Sequence, residues 1–474
     1  MTSRVVAAQQ LARTVFIGVA LFAIASPVQA IPAFARKYQT SCQTCHIVFP
    51  KLNAFGEAFR LRGYRMPGET EDMVKQAPVS LGAPAYKRLW PQAVWPGEMS
   101  SSVPLAVILK MGVVNTSTVN PDGTVTSITN DFQFPQELNI YGGGTLGDHV
   151  SYLAEVTMGE NPDGSVAVEL EHAHVAFDSP FGPEDLFHFK LGKISPNLTD
   201  GFNEMWIATD AGIDSLFNYN PIGLNGGTGL GADGINPSPV SLPTRAQGIE
   251  GYGIIHHRAL WVAGIVNGIG PMPSDSTGRF DGNNAKDVYA RFDYKFGGMG
   301  LDGDTGGQPY VPEKNWRDNS LRLGVFTYRG DGSNIDFPAT DAGGLDRNIQ
   351  DTHFLRTGVY ASVFYQDLNV FGVYVHGTDS LNVIDPMSTA VLSTLSPTYN
   401  AWFTQADYLI YPWLQAALRY ETVTPGDTTV PSLRTGTFNL SALIRANVKA
   451  MLEYQRDLRN GDNHSLNVLL RFGF

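Results

Sequence analysis

The last ten residues of the chain keep one wholly apolar face at a period of two. Leu466, Val468, Leu470, Phe472 and Phe474 are apolar, while Asn467, Arg471 and Gly473 fall between them. A period of two with one wholly apolar face predicts a strand whose outer side meets lipid. The pattern recurs upstream. Phe438, Leu440, Ala442 and Ile444 alternate with Asn439, Ser441 and Arg445; Val448, Ala450, Leu452 and Tyr454 alternate with Lys449, Glu453 and Gln455. Charged groups share the face opposite the apolar one, as a polar lumen requires. About two residues separate these strands, which suits a tight hairpin turn. Tight turns are also expected at His256-His257-Arg258, Gln366-Asp367 and Tyr411-Pro412-Trp413, and long Gly/Asn/Asp/Ser/Pro connections alternate with them.

Strands are expected near 103–114, 132–141, 150–158, 167–177, 185–194, 246–256, 259–267, 286–296, 319–329, 353–365, 368–377, 400–411, 412–421, 435–444, 446–456 and 464–474. The fold class is therefore all-β: a transmembrane antiparallel β-barrel of about sixteen strands, even in number so that both ends lie on the periplasmic side. The segments 103–114 and 319–329 are weakly patterned, so fourteen or eighteen strands are alternatives. Residues 297–318 fit poorly, because this long segment falls on the short-turn side; a missed hairpin is the other reading. The longest connection, 195–245, either folds inward and narrows the pore or stays on the surface.

Composition agrees. The 474 residues are 43 % hydrophobic and 16 % charged, with 50 glycines, too apolar for disorder and too glycine-rich for a helical bundle. The net charge of -12 offers no basic footprint, so nucleic acid is not an expected partner. Residues 1–30 read as a secretory signal: Arg4 and Arg13 precede the apolar stretch Val15 to Ala25, and Val28 and Ala30 suit signal peptidase. Beyond Ala30 no run approaches the ~18 apolar residues of a membrane helix, so any span is made of strands.

Both cysteines belong to Cys42-Gln43-Thr44-Cys45-His46, a C-x-x-C-H motif. Two thiols at this spacing suit thioether bonds to the vinyl groups of one haem c, and His46 is placed to ligate its iron. A thioredoxin-like pair needs a βαβ context, a zinc site needs two more ligands, and a short-loop disulfide has no need of the histidine. Downstream, Pro50 suits a first helical turn, Leu52, Phe55 and Phe59 make one apolar helix face, and Gly63 suits a helix stop. That face packs either on the porphyrin or on the pore wall. Met66 is the expected sixth ligand, with Met73 and Met99 as rivals and an open or histidine-ligated site as alternatives. Arg60, Arg62 and Arg65 either hold the haem propionates or form a solvated helix face.

The expected organisation is a signal peptide (1–30), a short α-helical N-terminal haem c segment (31–75), a proline-rich linker (76–102) and an outer-membrane barrel (103–474). The linker is long enough to let the haem segment fold back into the pore mouth. The acidic connection 330–351, with Asp331, Asp336, Asp341, Asp346 and Asp351, either gathers cations such as Fe2+ or Ca2+ or is simply solvated.

Pro32, Phe34-Ala35-Arg36, the motif at 42–46, Pro50, Leu52, Phe55-Gly56, Phe59 and Gly63-Tyr64 carry a resemblance. The sequence resembles the fused monohaem cytochrome–porins of the bacterial outer membrane, typified by the iron oxidases of Fe(II)-oxidising bacteria. The likeness is specific over residues 31–66 and architectural over the barrel. It implies that Cys42 and Cys45 bind haem c, that His46 is an axial ligand, and that single electrons pass from an extracellular donor to periplasmic cytochromes. The donor implied by the iron oxidases is Fe2+. A conduit with a different partner and a solute porin with a haem plug remain as alternatives.

Overall fold

The alternation closes on itself. The computed structural model describes residues 33–67, 103–119, 125–160, 164–200, 207–217, 242–267, 285–307, 317–331, 336–340, 346–385, 387–428, 432–459 and 461–474, with short pieces between 79 and 99. Sixteen antiparallel strands make a closed barrel. They are β1 Leu105–Val119, β2 Val125–Leu146, β3 Val150–Glu160, β4 Val166–Asp178, β5 His188–Ile194, β6 Ala246–Ile255, β7 Ala259–Asn267 and β8 Lys286–Gly297. The remainder are β9 Ser320–Asp331, β10 Asp346–Tyr365, β11 Leu368–Ile384, β12 Thr398–Tyr411, β13 Leu414–Pro425, β14 Leu433–Arg445, β15 Val448–Asp457 and β16 His464–Gly473. Strand β16 returns to β1, with Leu466 opposite Asn115 and Gly473 opposite Ile108. Closure leaves no sheet edge to satisfy in hydrocarbon.

Every expected strand is present, and the weakly patterned β1 and β9 are full members of the ladder. Several run further than the alternation indicates. Strands β10 and β11 stay paired out to Asn348 and Ile384. There the flanking residues are largely polar, so the hydrogen-bond ladder continues after the one-sided polarity signal fades. The strand Asp336–Thr340 adds to β10 at this end, and Val391–Leu395 adds to β11. The acidic side chains of 336–351 lie outside the described residues.

Strand β8 shows the sorting of faces. Val288, Phe292, Tyr294 and Phe296 are exposed outside, while Asp287, Tyr289, Arg291, Asp293 and Lys295 are buried inside. Exposed Leu323, Val325, Val359 and Trp402 continue the outer belt. At the short-turn end, Tyr365, Tyr411, Trp413, Phe296 and Phe474 are exposed aromatics, placed like an interfacial girdle.

The lumen holds chain. Residues 33–67 fold back into its short-turn end as a plug containing the helices α1 (Ala33–Lys37) and α2 (Ala54–Leu61). The poorly fitting segment after β8 is no extra hairpin among the described residues. It bends over the plug instead: Met299 packs against Tyr38, Phe55, Phe59 and Met66, and the Asp302 carbonyl accepts from Arg62 at 3.4 Å. The described parts of the long connection 195–245 turn inward. Arg291 donates to Asn197 and Thr199, Arg419 to Thr209, Ala211 and Gly212, and Lys110 pairs with Asp210 at 2.8 Å. Of the proline-rich linker, Val79–Ser80 pairs with Glu98–Met99; Met73 and the signal segment lie outside the described residues.

Candidate functional site

A single 3-10 turn, Cys42–Thr44, places the two cysteines, and the Ser41 hydroxyl caps it by accepting from the Gln43 N–H. The chain then makes a small hairpin, His46–Val48 against Lys51–Leu52. Pro50 stands in the turn of this hairpin and not in a first helical turn. Asn53 begins α2 instead: its side chain accepts from Gly56 N at 2.8 Å and donates to Thr44 O at 3.0 Å. Its own N–H donates to Cys45 O at 2.9 Å. One asparagine thus caps the helix and ties it to the cysteine turn.

Two glycines permit this packing. A Cβ on Gly56 would stand 2.0 Å from Cys45 O, so α2 approaches the motif as closely as a backbone can. Gly63 ends the helix at φ +66, a left-handed conformation that favours glycine. Its Cα faces the Asp178 carboxylate of the wall, where a Cβ would meet an oxygen at 2.2 Å.

Pro50 has another part to play. His46 Nδ1 lies 2.9 Å from the Pro50 carbonyl. An Nδ1–H donated there fixes the tautomer and leaves Nε2 as the ring's lone-pair nitrogen. Burial lowers the His46 pKa to about 4, so the ring is neutral at ordinary pH, as a metal ligand must be. Burial, then the neighbouring Cys42, pushes the Cys45 thiol up to about 12, which does not suit a reactive thiolate. The cysteines are not disulfide-bonded to each other. Among the described residues, neither belongs to a metal-ligand cluster.

Cys42, Cys45, His46 and Met66 all line one cavity of about 290 Å³ between the plug and the wall formed by β1 to β6. Phe34, Leu52 and Phe59 line its plug side, and Ala106, Ile108 and Leu153 its wall side. Met66 is 4 % exposed, within a cluster of Tyr38, Phe55 and Phe59. The expected helix face is divided: Leu52 stands in the hairpin before α2, not on the helix, and lines the cavity together with Phe59, while Phe55 packs into the plug and Leu61 joins the apolar core shared with the inward connection. The cavity fits a haem in its donors, its apolar walls and one unsatisfied group. The wall residue His174 lines it with a buried Nδ1 that has no protein partner.

The three arginines separate. Arg62 pairs with Glu184 and with Asp185 at 3.3 Å, and Arg65 pairs with Asp178 at 2.7 Å. Both fasten the plug to the turn between β4 and β5, so neither lies on a solvated face. Arg60 lines the cavity and bonds Glu57 at 2.7 Å. Burial raises the Glu57 pKa, but Arg60, with Arg322 and Arg291 beyond it, brings it down to about 2. Lys51, in the hairpin after the motif, is buried against Asp407 and Asn369 and lies 4.3 Å over the Phe371 ring. Sequence reasoning missed Lys51 and Asn53, whose partners become visible only after folding. It also missed Glu155, His172 and His174, cavity-lining residues spaced along ordinary strands.

No protein-family model matches the chain, and no curated protein sequence does. Among solved structures it is similar to OmpF of Salmonella typhi in complex with daunomycin, at 10 % identity and a TM-score of 0.48, over 79 % of this chain and 98 % of that one. It is similar to the outer membrane channel DcaP of Acinetobacter baumannii at 12 % identity and 0.47, over 79 % and 97 %. An anion-selective porin from Comamonas acidovorans follows at 12 % and 0.46, over 78 % and 98 %. The closed antiparallel sheet with its lipid-facing belt makes this chain a porin-like barrel of the bacterial outer membrane.

Proposed function

We propose that the chain is an outer-membrane cytochrome–porin that passes single electrons across the membrane through one covalently attached haem c. The electrons come from an extracellular donor, Fe2+, and go to periplasmic cytochromes. The observation that carries this reading is the convergence of Cys42, Cys45, His46 and Met66 on one cavity inside the lumen. Haem c, when bound, supplies a one-electron Fe(III)/Fe(II) couple. Cys42 and Cys45 would hold it by thioether bonds. His46 presents Nε2 because Pro50 occupies Nδ1. The Met66 thioether would serve as a further ligand to its iron, and Phe34, Phe59 and Leu153 would keep water from the group. Arg60 offers charge to a propionate, and His174 offers its unpaired ring nitrogen. The plug and the described parts of the inward connection are bonded to the barrel wall, which favours a conduit over an open pore.

Expression in a strain that matures c-type cytochromes tests the reading. The wild-type protein is expected to keep haem through a denaturing gel, and a Cys42→Ala, Cys45→Ala variant to lose it while still migrating as a folded barrel. Met66→Ala is expected to lower the haem potential, since a thioether ligand raises it. Rapid mixing of the oxidised protein with Fe2+ should produce the reduced haem spectrum. An unchanged spectrum rejects Fe2+ as donor; absence of covalent haem rejects the whole reading.

A further inference from the structure

One cluster on the lumen wall stands beside the haem cavity and belongs to no function assigned above. Glu155 of β3 and Glu171 and His172 of β4 each offer a ligand atom, and these atoms lie within 4.8 Å of one another. All three residues are buried, Glu155 completely. A slip in register brings them together: Glu155 pairs with His172 and Val156 with Leu170, so Glu171 is the extra residue of a bulge.

The surroundings of His172 suit a cation. Ser195 Oγ lies 2.8 Å from the Thr244 carbonyl and 2.9 Å from His172 Nε2. With the Ser195 hydrogen given to the carbonyl, His172 Nε2 is the donor and carries the ring hydrogen. Its Nδ1 faces Glu155 Oε2 at 2.8 Å. A lone pair aimed at a carboxylate oxygen is repulsive, so a proton or a metal ion belongs between them. A ring that donates one nitrogen to a fixed oxygen and turns the other to the Glu155 carboxylate has the build of a metal-ligating histidine with its outer partner. Asn139 Nδ2 approaches Glu155 Oε1 at 3.3 Å, and Arg245 bonds Glu171 Oε2 at 2.7 Å. These partners orient the two carboxylates. Ser195, Thr244 and Arg245 all belong to the inward connection, which thus closes the site from above.

We propose that Glu155, Glu171 and His172 bind one divalent first-row transition-metal ion in the lumen wall, and that the donor Fe2+ is held there. One imidazole and two carboxylates suit borderline-hard ions such as Fe2+ and Mn2+. Glu155 and His172 also line the cavity that holds Cys42, Cys45 and His46, so the ion stands at the edge of the haem site. The step is a single electron transfer: one electron passes from bound Fe2+, which becomes Fe3+, to ferric haem iron, which becomes ferrous. Metal binding by the three side chains stands on their geometry alone; the electron transfer rests on the haem reading above.

The test uses the full chain, haem-loaded and in detergent. Titration with Mn2+, followed by the paramagnetic resonance of the free ion, is expected to show one saturable site per chain. Glu171→Gln and His172→Ala should each weaken binding tenfold or more, with covalent haem and folded-barrel migration unchanged. Absence of a saturable site, or equal binding by wild type and both variants, overturns the metal site and leaves a proton between His172 and Glu155. Rapid mixing with Fe2+ then separates the two claims. A tenfold slower haem reduction in Glu171→Gln supports the donor site, and equal rates overturn it. Mn2+ binding with no haem reduction by Fe2+ in wild type upholds the site and rejects the iron-oxidising reading.

Discussion

The barrel wall and the plug inside it are stable for different reasons. Each wall strand is held by a ladder on both sides, from Ala246 opposite Ile194 round to Gly473 opposite Ile108. Its stability is spread over many equivalent bonds, and almost any residue of the right polarity serves. The plug has two short helices and a small hairpin of its own. It is held by a few specific fastenings: Lys51 to Asp407, Arg62 to Asp185, Arg65 to Asp178, and the Gln43 amide to the Pro412 carbonyl at 2.9 Å. A distributed ladder tolerates single losses. A plug on few fastenings does not, and that difference is open to measurement.

The largest effect is expected from Lys51→Met. It leaves Asp407 buried with its main cationic partner gone, a loss of about 3–5 kcal/mol when a buried pair is broken on one side. Docking of the plug should fail while the barrel persists. Planar-bilayer conductance is expected to rise, and heat-modifiable migration to stay as in wild type. A closed pore in this variant would show that the plug does not depend on its ion pairs.

Gly56→Ala comes next. Its Cβ has only the Cys45 backbone to push against, and such overpacking costs about 1–3 kcal/mol. Haem incorporation per folded barrel should fall, read as the ratio of haem absorbance to protein. The contrasting change Gly159→Ala sits in wall strand β3, where a Cβ meets only the Gln136 carbonyl at 3.7 Å, and it should leave that ratio unaltered. Equal behaviour of the two would remove the distinction between plug and wall.

The smallest effect concerns pH. The Glu57 pKa is brought from an ordinary 4.5 to about 2 in the docked plug. A depressed carboxyl contributes stability that is fully present above the ordinary value and lost as pH falls through the docked one. Plug docking should therefore weaken between about pH 4.5 and 2, and Glu57→Gln should flatten that part of the profile. Protease sensitivity of residues 33–67 against pH is the measurement.

The sequence by itself determined the strands and the cysteine motif. Period-two polarity is a local property, because a strand in a membrane wall has one neighbour medium on each face and its side chains must sort between them. All sixteen strands were therefore legible, together with Cys42, Cys45 and His46. The helix stop at Gly63 was legible for the same reason: backbone conformation is set within a few residues. Tertiary structure alone decided what stands inside. The duties of Arg62 and Arg65, the inward course of the described parts of 195–245 and the use of 297–307 as a cover over the plug depend on partners some ninety to two hundred and forty residues away. The cluster of Glu155, Glu171 and His172 joins two neighbouring strands, and the register slip of a single bulge assembles it. A lumen is a shared space, and no local pattern records which distant side chains meet in it.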